Sequence, residues 1–380
     1  MNVYDSVLSC VASSILVSAY FISASIANLS RNPFVETALG YALTYISSVH
    51  SSPRIKPTTV TILADNDYYS QPSGSAATTK TKFHFSDFGV RLQDAHKTGL
   101  GSSAALVTAF VGALLSHYLP ASLFSLDSEA GRAKLHNLAQ AAHCAAQGKV
   151  GSGFDVAAAV YGTCVYRRFS PSILSNLGEP GSSGFSKRVK HIVEDTDPDQ
   201  KWDTEISKGG VTIPKGMSLV MCDVDCGSQT VSMVKQVLEW RKKDPQESKD
   251  LWDKLQLNND TLASTLSSGT PAQLEAAFAS IREKVRDMGE RSGVPIEPRE
   301  QTELLDALTE GVEGVAGGVV PGAGGYDAVS LLVKDDADTL KSIEKFLERW
   351  SVEKKSNVKL LNATGELEGA RPEHGSLYKF

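Results

Sequence analysis

An α+β fold follows from three observations on this chain of 380 residues. Apolar residues recur at three- and four-residue steps in some segments and in short continuous runs in others. Glycine clusters punctuate the changeovers, and the two kinds of segment alternate along the whole chain. This mixture excludes a pure helical bundle and a β-sandwich. A chain of this length, 41% hydrophobic and 22% charged, divides into two domains more readily than it stays one.

The first segment, residues 7–29, carries no charge and is long enough on paper to span a bilayer. Ser9, Ser13, Ser14, Ser18, Ser23 and Ser25 dilute its apolar character, and no Lys or Arg precedes it. It reads as β-rich buried core or a loosely specified terminus, not as a membrane span or a signal sequence. From 32 to 50 the spacing of Phe34, Val35, Ala38, Leu39, Ala42, Leu43 and Ile46 predicts an amphipathic helix, with Asn32 as cap and Pro33 at its first position. Residues 60–63 read as a strand, 65–82 as a polar loop and 83–92 as extended chain.

Helices are expected over 104–115, which is apolar nearly all round, and over the alanine-rich stretch 135–147. Residues 160–169 look strand-like, and 177–210 reads as a linker or excursion bearing Ser, Gly and charge. A second domain opens at the strand 217–224. Helices follow through Trp240 and over 251–266, 271–288 and 301–310. A last glycine cluster from Gly317 runs into a strand at 328–333, and a helix over 338–352 closes the pattern.

The net charge of −6 argues against nucleic acid or an anionic membrane surface as partner, so an anion site has to be built locally. Five cysteines, Cys10, Cys144, Cys164, Cys222 and Cys226, are odd in number and dispersed, without a CxxC pair. They point to free thiols in the cytoplasm, not to a disulfide framework or a zinc site.

The chemistry concentrates at Lys97, Thr98, Gly99, Leu100, Gly101, Ser102, Ser103, Ala104 and Ala105. Two glycines let the backbone aim N–H groups at an anion, two hydroxyls add donors, and the helix that follows contributes its positive end. This is a phosphate cradle, read as the triphosphate site of an ATP-using enzyme. The pattern Gly99-x-Gly101-x-x-Ala104 also matches a dinucleotide fingerprint. That fingerprint needs a strand running straight into the first glycine, whereas the polar residues 93–98 intervene here. A Walker loop fails for want of Gly-Lys-Ser/Thr at the required distance, and a nucleophile elbow fails for want of Gly-x-Ser-x-Gly.

Two more glycine segments follow: residues 148–159, with Gly151, Ser152, Gly153, Phe154 and Asp155, and residues 321–327, with Pro321, Gly322, Ala323, Gly324, Gly325, Tyr326 and Asp327. Together with 97–105 they resemble, in order and approximate spacing, the motifs of the GHMP kinases, and within them those of the phosphomevalonate kinases of fungal type. The segments 32–36, 136–144, 166–169 and 296–298 with Gln301 and Thr302 strengthen the resemblance, which runs from about Asn32 to about Lys334.

The resemblance implies a ribosomal-protein-S5-like N-terminal domain over 32–212 and a ferredoxin-like C-terminal domain over 213–380. ATP and acceptor would meet between them. It also implies the reaction: transfer from ATP to 5-phosphomevalonate, on the mevalonate route to isoprenoids and sterols such as ergosterol. A phosphomonoester acceptor, with a second pKa of about 6, is already mostly dianionic at neutral pH. The site therefore needs cations and aligned donors to offset repulsion between polyanions more than it needs a strong base.

Lys97 suits charge neutralisation at the transferring phosphoryl group. Asp155 matches the family's catalytic aspartate, whether it orients a lysine or Mg²⁺ or takes a residual proton. Gly99 to Ala105 would bind ATP, and Ser103 matches the Mg²⁺ ligand. Ser152, Gly153, Arg167, Arg168 and the loop Gly322, Ala323, Gly324 and Gly325 are the expected acceptor contacts, and Ser228 and Gln229 are lesser pocket candidates. Where relatives can supply a glutamate to the metal from a neighbouring helix, this chain has His143 and Cys144.

Family members also begin with an Ala-Pro-Gly-Lys type of motif, and nothing in residues 1–31 resembles it. The expectation is that Met1 to Ser30 is in part unrelated sequence and that the first domain lacks leading strands, exposing a sheet edge. The rival readings are a non-catalytic ligand-binding remnant and a sister enzyme, either mevalonate kinase or diphosphomevalonate decarboxylase.

Overall fold

The computed structural model describes residues 7–10, 15–20, 32–50, 58–69, 98–224, 230–365 and 367–373. Its first layer is a four-stranded antiparallel sheet. Strands β1 (Val7–Cys10), β2 (Ile15–Tyr20) and β3 (Thr59–Ala64) are joined by β10 (Arg371–Glu373) in the order β10-β1-β2-β3. The register pairs Leu8 with Val17 and Val17 with Ile62.

Residues 7–20 thus furnish the two inner strands of this sheet. The β-rich reading of 7–29 holds over these two strands. The last strand returns to this layer, with Arg371 opposite Ser9, so the expected boundary at 212/213 leaves out one strand of the first sheet.

Helix α1 (Pro33–Val49) begins as its sequence predicts. Asn32 Oδ1 accepts from the N–H groups of Phe34 and Val35 at 3.1 and 3.3 Å, with Pro33 in the first turn. Asn32→Ala is expected to lower stability by about 1 kcal/mol, read as a lower denaturant midpoint at unchanged slope. The same helix buries Ala38, Tyr41, Ala42, Tyr45 and Ile46 against α2 (Ser102–Tyr118) and α3 (Glu129–Gln147). Helix α2 is buried along nearly its whole first three turns and lies on the sheet, as expected of a helix that is apolar all round.

Helix α4 (Phe154–Tyr161) takes the first residues of the stretch read as strand, and only β4 (Val165–Arg167) is extended. The linker 177–210 is likewise more ordered than expected. Past the short turn α5 (Ser172–Ser175), helix α6 (Phe185–Glu194) buries Phe185, Val189, Ile192 and Val193, and β5 (Glu205–Ser207) pairs with β4. Those four residues form a helical stripe that the surrounding charge and serine obscured.

The second layer follows the order β-α-β-β-α-β of a ferredoxin-like unit. Strands β6 (Met217–Val224), β7 (Val315–Val319), β8 (Ala328–Lys334) and β9 (Val358–Thr364) form an antiparallel sheet ordered β7-β8-β6-β9. Between β6 and β7 run four helices: α7 (Thr230–Lys243), α8 (Pro245–Ser268), α9 (Pro271–Ser292) and α10 (Arg299–Gly311). Leu304, Leu305 and Leu308 of α10 share a core with Ile343 and Leu347 of α11 (Ala337–Lys354) and with Val329, Leu331 and Val333 of β8. Leu274 and Phe278 of α9 pack with Ala316 and Leu332. Among the described residues no helix is long and apolar enough to cross a membrane.

Candidate active site

The chain enters the first glycine loop through Thr98, which is buried. Its N–H donates to Tyr68 O at 3.2 Å and its hydroxyl to Asp67 O at 2.6 Å. Gly99 and Gly101 then take left-handed conformations at φ +78° and +75°, open to glycine at little cost. Gly101 caps α2 with no side-chain bond to the first-turn amides, which favours an anion there.

Within this loop the expected ATP contacts differ in access. Gly99 is exposed and Leu100, Gly101 and Ser103 are partly exposed, but Ser102, Ala104 and Ala105 are buried. The amides of Ala104 and Ala105 already donate to Gly101 O at 3.0 and 3.1 Å.

The fold brings the other two glycine segments to this helix end. A Cβ placed on Gly101 would lie 3.6 Å from Asp155 Cβ, and one placed on Gly99 would lie 3.9 Å from Asp327 Cβ. Asp155 sits in the first turn of α4, where Oδ1 accepts from Val156 N–H at 2.9 Å. Gly153 before it is required by space, since a Cβ would fall 2.6 Å from both Gln140 Oε1 and Tyr166 Oη. Ser152 is exposed, and its carbonyl accepts from Tyr166 Oη at 2.8 Å.

The two arginines part company. Arg168 Nη2 donates to Val150 O at 3.1 Å on the loop leading into Asp155. Arg167 points out toward Glu205 at 3.5 Å, with 73% of its side chain exposed.

In the third loop Gly322 is exposed, with nothing within 4 Å of a Cβ placed on it, and Ala323 is partly exposed. Gly324 and Gly325 are buried against Ile296, whose carbonyl accepts from Gly325 N–H at 2.8 Å. A Cβ on Gly324 would come within 2.6 Å of Ile296 Cγ2.

The anchor for that loop is a buried charge cluster. Glu297 Oε1 accepts from Arg282 Nε at 3.0 Å, Arg282 Nη2 at 2.8 Å, Arg286 Nη1 at 2.8 Å and Thr302 Oγ1 at 3.0 Å. Arg282 also reaches Asp306 Oδ1 at 2.7 Å. Of the segment 296–298 with Gln301 and Thr302, Ile296 bonds to the third loop and Glu297 and Thr302 belong to this cluster.

Beside α2, Ser103 Oγ lies 3.1 Å from His143 Nε2, and the same nitrogen lies 4.0 Å from Asp155 Oδ2. Burial pushes the neighbouring Cys144 thiol up, so it brings no negative charge to this corner. Among the described residues no group of three His, Cys, Asp or Glu side chains is placed to hold a metal. A hydroxyl and a carboxylate beside a phosphate loop do fit Mg²⁺, which binds through one or two protein oxygens together with phosphates and waters. Lys97, Ser228 and Gln229 lie outside the described residues. Two residues here lay outside the expected site: Asp327, which ends the third quoted motif, and His143, noticed only as the place of a missing carboxylate.

A family model described as the GHMP kinases N terminal domain matches residues 78–163. Phosphomevalonate kinase ERG8 of Gibberella zeae is 56% identical over 355 residues, covering 93% of this chain and 79% of that protein. The chain belongs to the phosphomevalonate kinases of the GHMP kinase family.

Solved structures share the fold of this family member. The Lin0012 protein of Listeria innocua gives a TM-score of 0.67 at 18% identity, covering 98% of each chain. Leishmania major mevalonate kinase in complex with R-mevalonate gives 0.52 at 12% identity, covering 96% of this chain and 91% of that one.

Proposed function

We propose that the chain transfers the γ-phosphoryl group of ATP to (R)-5-phosphomevalonate, giving ADP and (R)-5-diphosphomevalonate. The observation that carries this reading is the meeting of Gly99, Gly101, Asp155 and Asp327 at the start of α2. There a triphosphate would find helix amides and a carboxylate within one cleft. The kinship to phosphomevalonate kinases supplies the acceptor.

An acceptor phosphate oxygen forms the new bond to the γ-phosphorus as the bond to the β,γ-bridging oxygen breaks, and its electron pair leaves with ADP. The acceptor arrives largely deprotonated, with a second pKa of about 6, so the residues mainly align the reactants and offset their charge. In this reading the loop 99–103 holds the ATP phosphates, and Lys97 offsets charge at the transferring group. Arg168, Ser152, Gly322 and Ala323 face the acceptor, while Arg167 stays with Glu205. Ser103, with Asp155 beside it, would hold Mg²⁺, which supplies neutralising charge for the nucleotide phosphates.

Coupled ADP release with phosphomevalonate and Mg-ATP is expected to show turnover, and Lys97→Ala to lower kcat by about 10²–10³-fold. Nucleotide binding without turnover marks a non-catalytic remnant. Consumption of mevalonate, or release of CO₂, marks a sister enzyme. Either result overturns the proposal. The cytoplasm is the compartment we assign, supported by Cys144, Cys164 and Cys222 standing as free thiols. Recovery of the protein in a peroxisomal or other organelle fraction would overturn that assignment.

A further inference from the structure

A serine hydroxyl carries one proton and two lone pairs. If Ser103 is to offer oxygen to a cation at the mouth of the loop, its proton has to point the other way, toward an acceptor behind it. Such an acceptor is in place. His143 of α3, with 3% of its side chain exposed, sets Nε2 at 3.1 Å from Ser103 Oγ.

A second neighbour fixes the state of that nitrogen. Gln147, one turn further along α3, brings its amide Nε2 to 3.3 Å from the same imidazole nitrogen, and an amide nitrogen can only donate. With the Gln147 amide donating to it, His143 Nε2 is an acceptor, and the Ser103 hydroxyl at 3.1 Å is placed to donate to the same nitrogen. Asp155 Oδ2, at 4.0 Å, is too far to accept a hydrogen bond from that nitrogen.

We propose that His143 is a positioning residue. Its Nε2 accepts the Ser103 hydroxyl proton and so turns the serine lone pairs toward the nucleotide's metal. The inference rests on the reading of Ser103 as a metal ligand given above, and it assigns His143 no contact with substrate. An imidazole suits this place because it accepts a hydrogen bond without adding negative charge of its own. Outer partners of this kind orient a ligand and tune its affinity.

The test is Mn²⁺ binding to the full chain in the presence of ADP, followed by water-proton relaxation, with metal-free ADP binding measured by calorimetry beside it. His143→Ala is expected to weaken Mn²⁺ binding by about 10–100-fold and to leave metal-free ADP binding unchanged. His143→Gln, whose Oε1 can accept the same proton, is expected to recover most of the loss. The double variant with Ser103→Ala should bind Mn²⁺ as Ser103→Ala alone does, because His143 acts through that hydroxyl.

Losses that multiply in the double variant overturn the proposal, as does an equal loss of metal-free ADP binding, the mark of a packing defect. If His143→Ala does not fold, failure of His143→Gln to hold Mn²⁺ more tightly than Ser103→Ala overturns it as well. A Ser103→Ala variant that keeps full Mn²⁺ affinity sinks instead the reading of Ser103 as a ligand, so the two failures can be told apart.

Discussion

Arg282→Met is expected to destabilise the protein by about 3 kcal/mol, the low end of the range for removing one partner of a buried ion pair. Glu297, 1% exposed at its side chain, would be left with Arg286, itself 39% exposed, and the hydroxyl of Thr302. That remaining pair keeps the loss from being larger. Replacing both members, Arg282→Met with Glu297→Leu, should recover part of it, because the desolvation of both charges disappears along with their attraction.

The consequence reaches the site. Glu297 adjoins Ile296, whose carbonyl holds Gly325, so a loosened cluster should raise the KM for the acceptor more than it lowers kcat. Urea midpoints and steady-state kinetics on the two variants check both statements. A single variant within about 0.5 kcal/mol of the parent would mean a surface-like pair without structural weight.

Much of this fold is legible in the residues, and the exceptions have physical causes. Asn32 and Pro33 announce α1 because capping is a local matter of one side chain and two amides. The stripe Phe185, Val189, Ile192 and Val193 was equally present in the sequence. The neighbouring serines, glycines and charges mask it as a loop.

Strand β7 hides among glycines. Its interior Gly317 and Gly318 leave room where Phe278 and Leu305 pack against it, so their purpose shows only in three dimensions. Strands β1 and β10 are four and three residues long, too short for period-2 alternation to stand out, and their pairing joins opposite ends of the chain.

The site divides in the same way. Loops that need glycine carry their own signal, as Gly99, Gly101 and Gly153 do. Both arginines are exposed; which of them bonds to the loop at Val150 depends on that loop and not on their neighbours in sequence, and Arg167 and Arg168 look alike until it is in place. The role proposed for His143 needs α2 and α3 side by side. Its only local trace is Gln147 at the i+4 position on the same helix face.

Asp155→Asn isolates charge from structure, and it is expected to lower kcat by at least about 10²-fold with the melting temperature nearly unchanged. The substitution keeps an oxygen that can accept from Val156 N–H, now at 2.9 Å from Oδ1, so the start of α4 retains its bond. It also keeps the volume beside Gly101, where the two residues approach closely. Only the negative charge and the capacity to take a proton are lost.

If Asp155 served merely to hold the first turn of α4 through its bond to Val156 N–H, the outcome would reverse: Asp155→Asn would keep full activity, and Asp155→Ala would lose about 1 kcal/mol of stability. Measuring both variants for ADP release and for thermal unfolding separates the two roles. A carboxylate that aligns cations or accepts a residual proton predicts that both variants lose turnover, since neither carries the charge. A purely structural first-turn residue predicts that only the alanine variant is affected, and then only in its melting temperature.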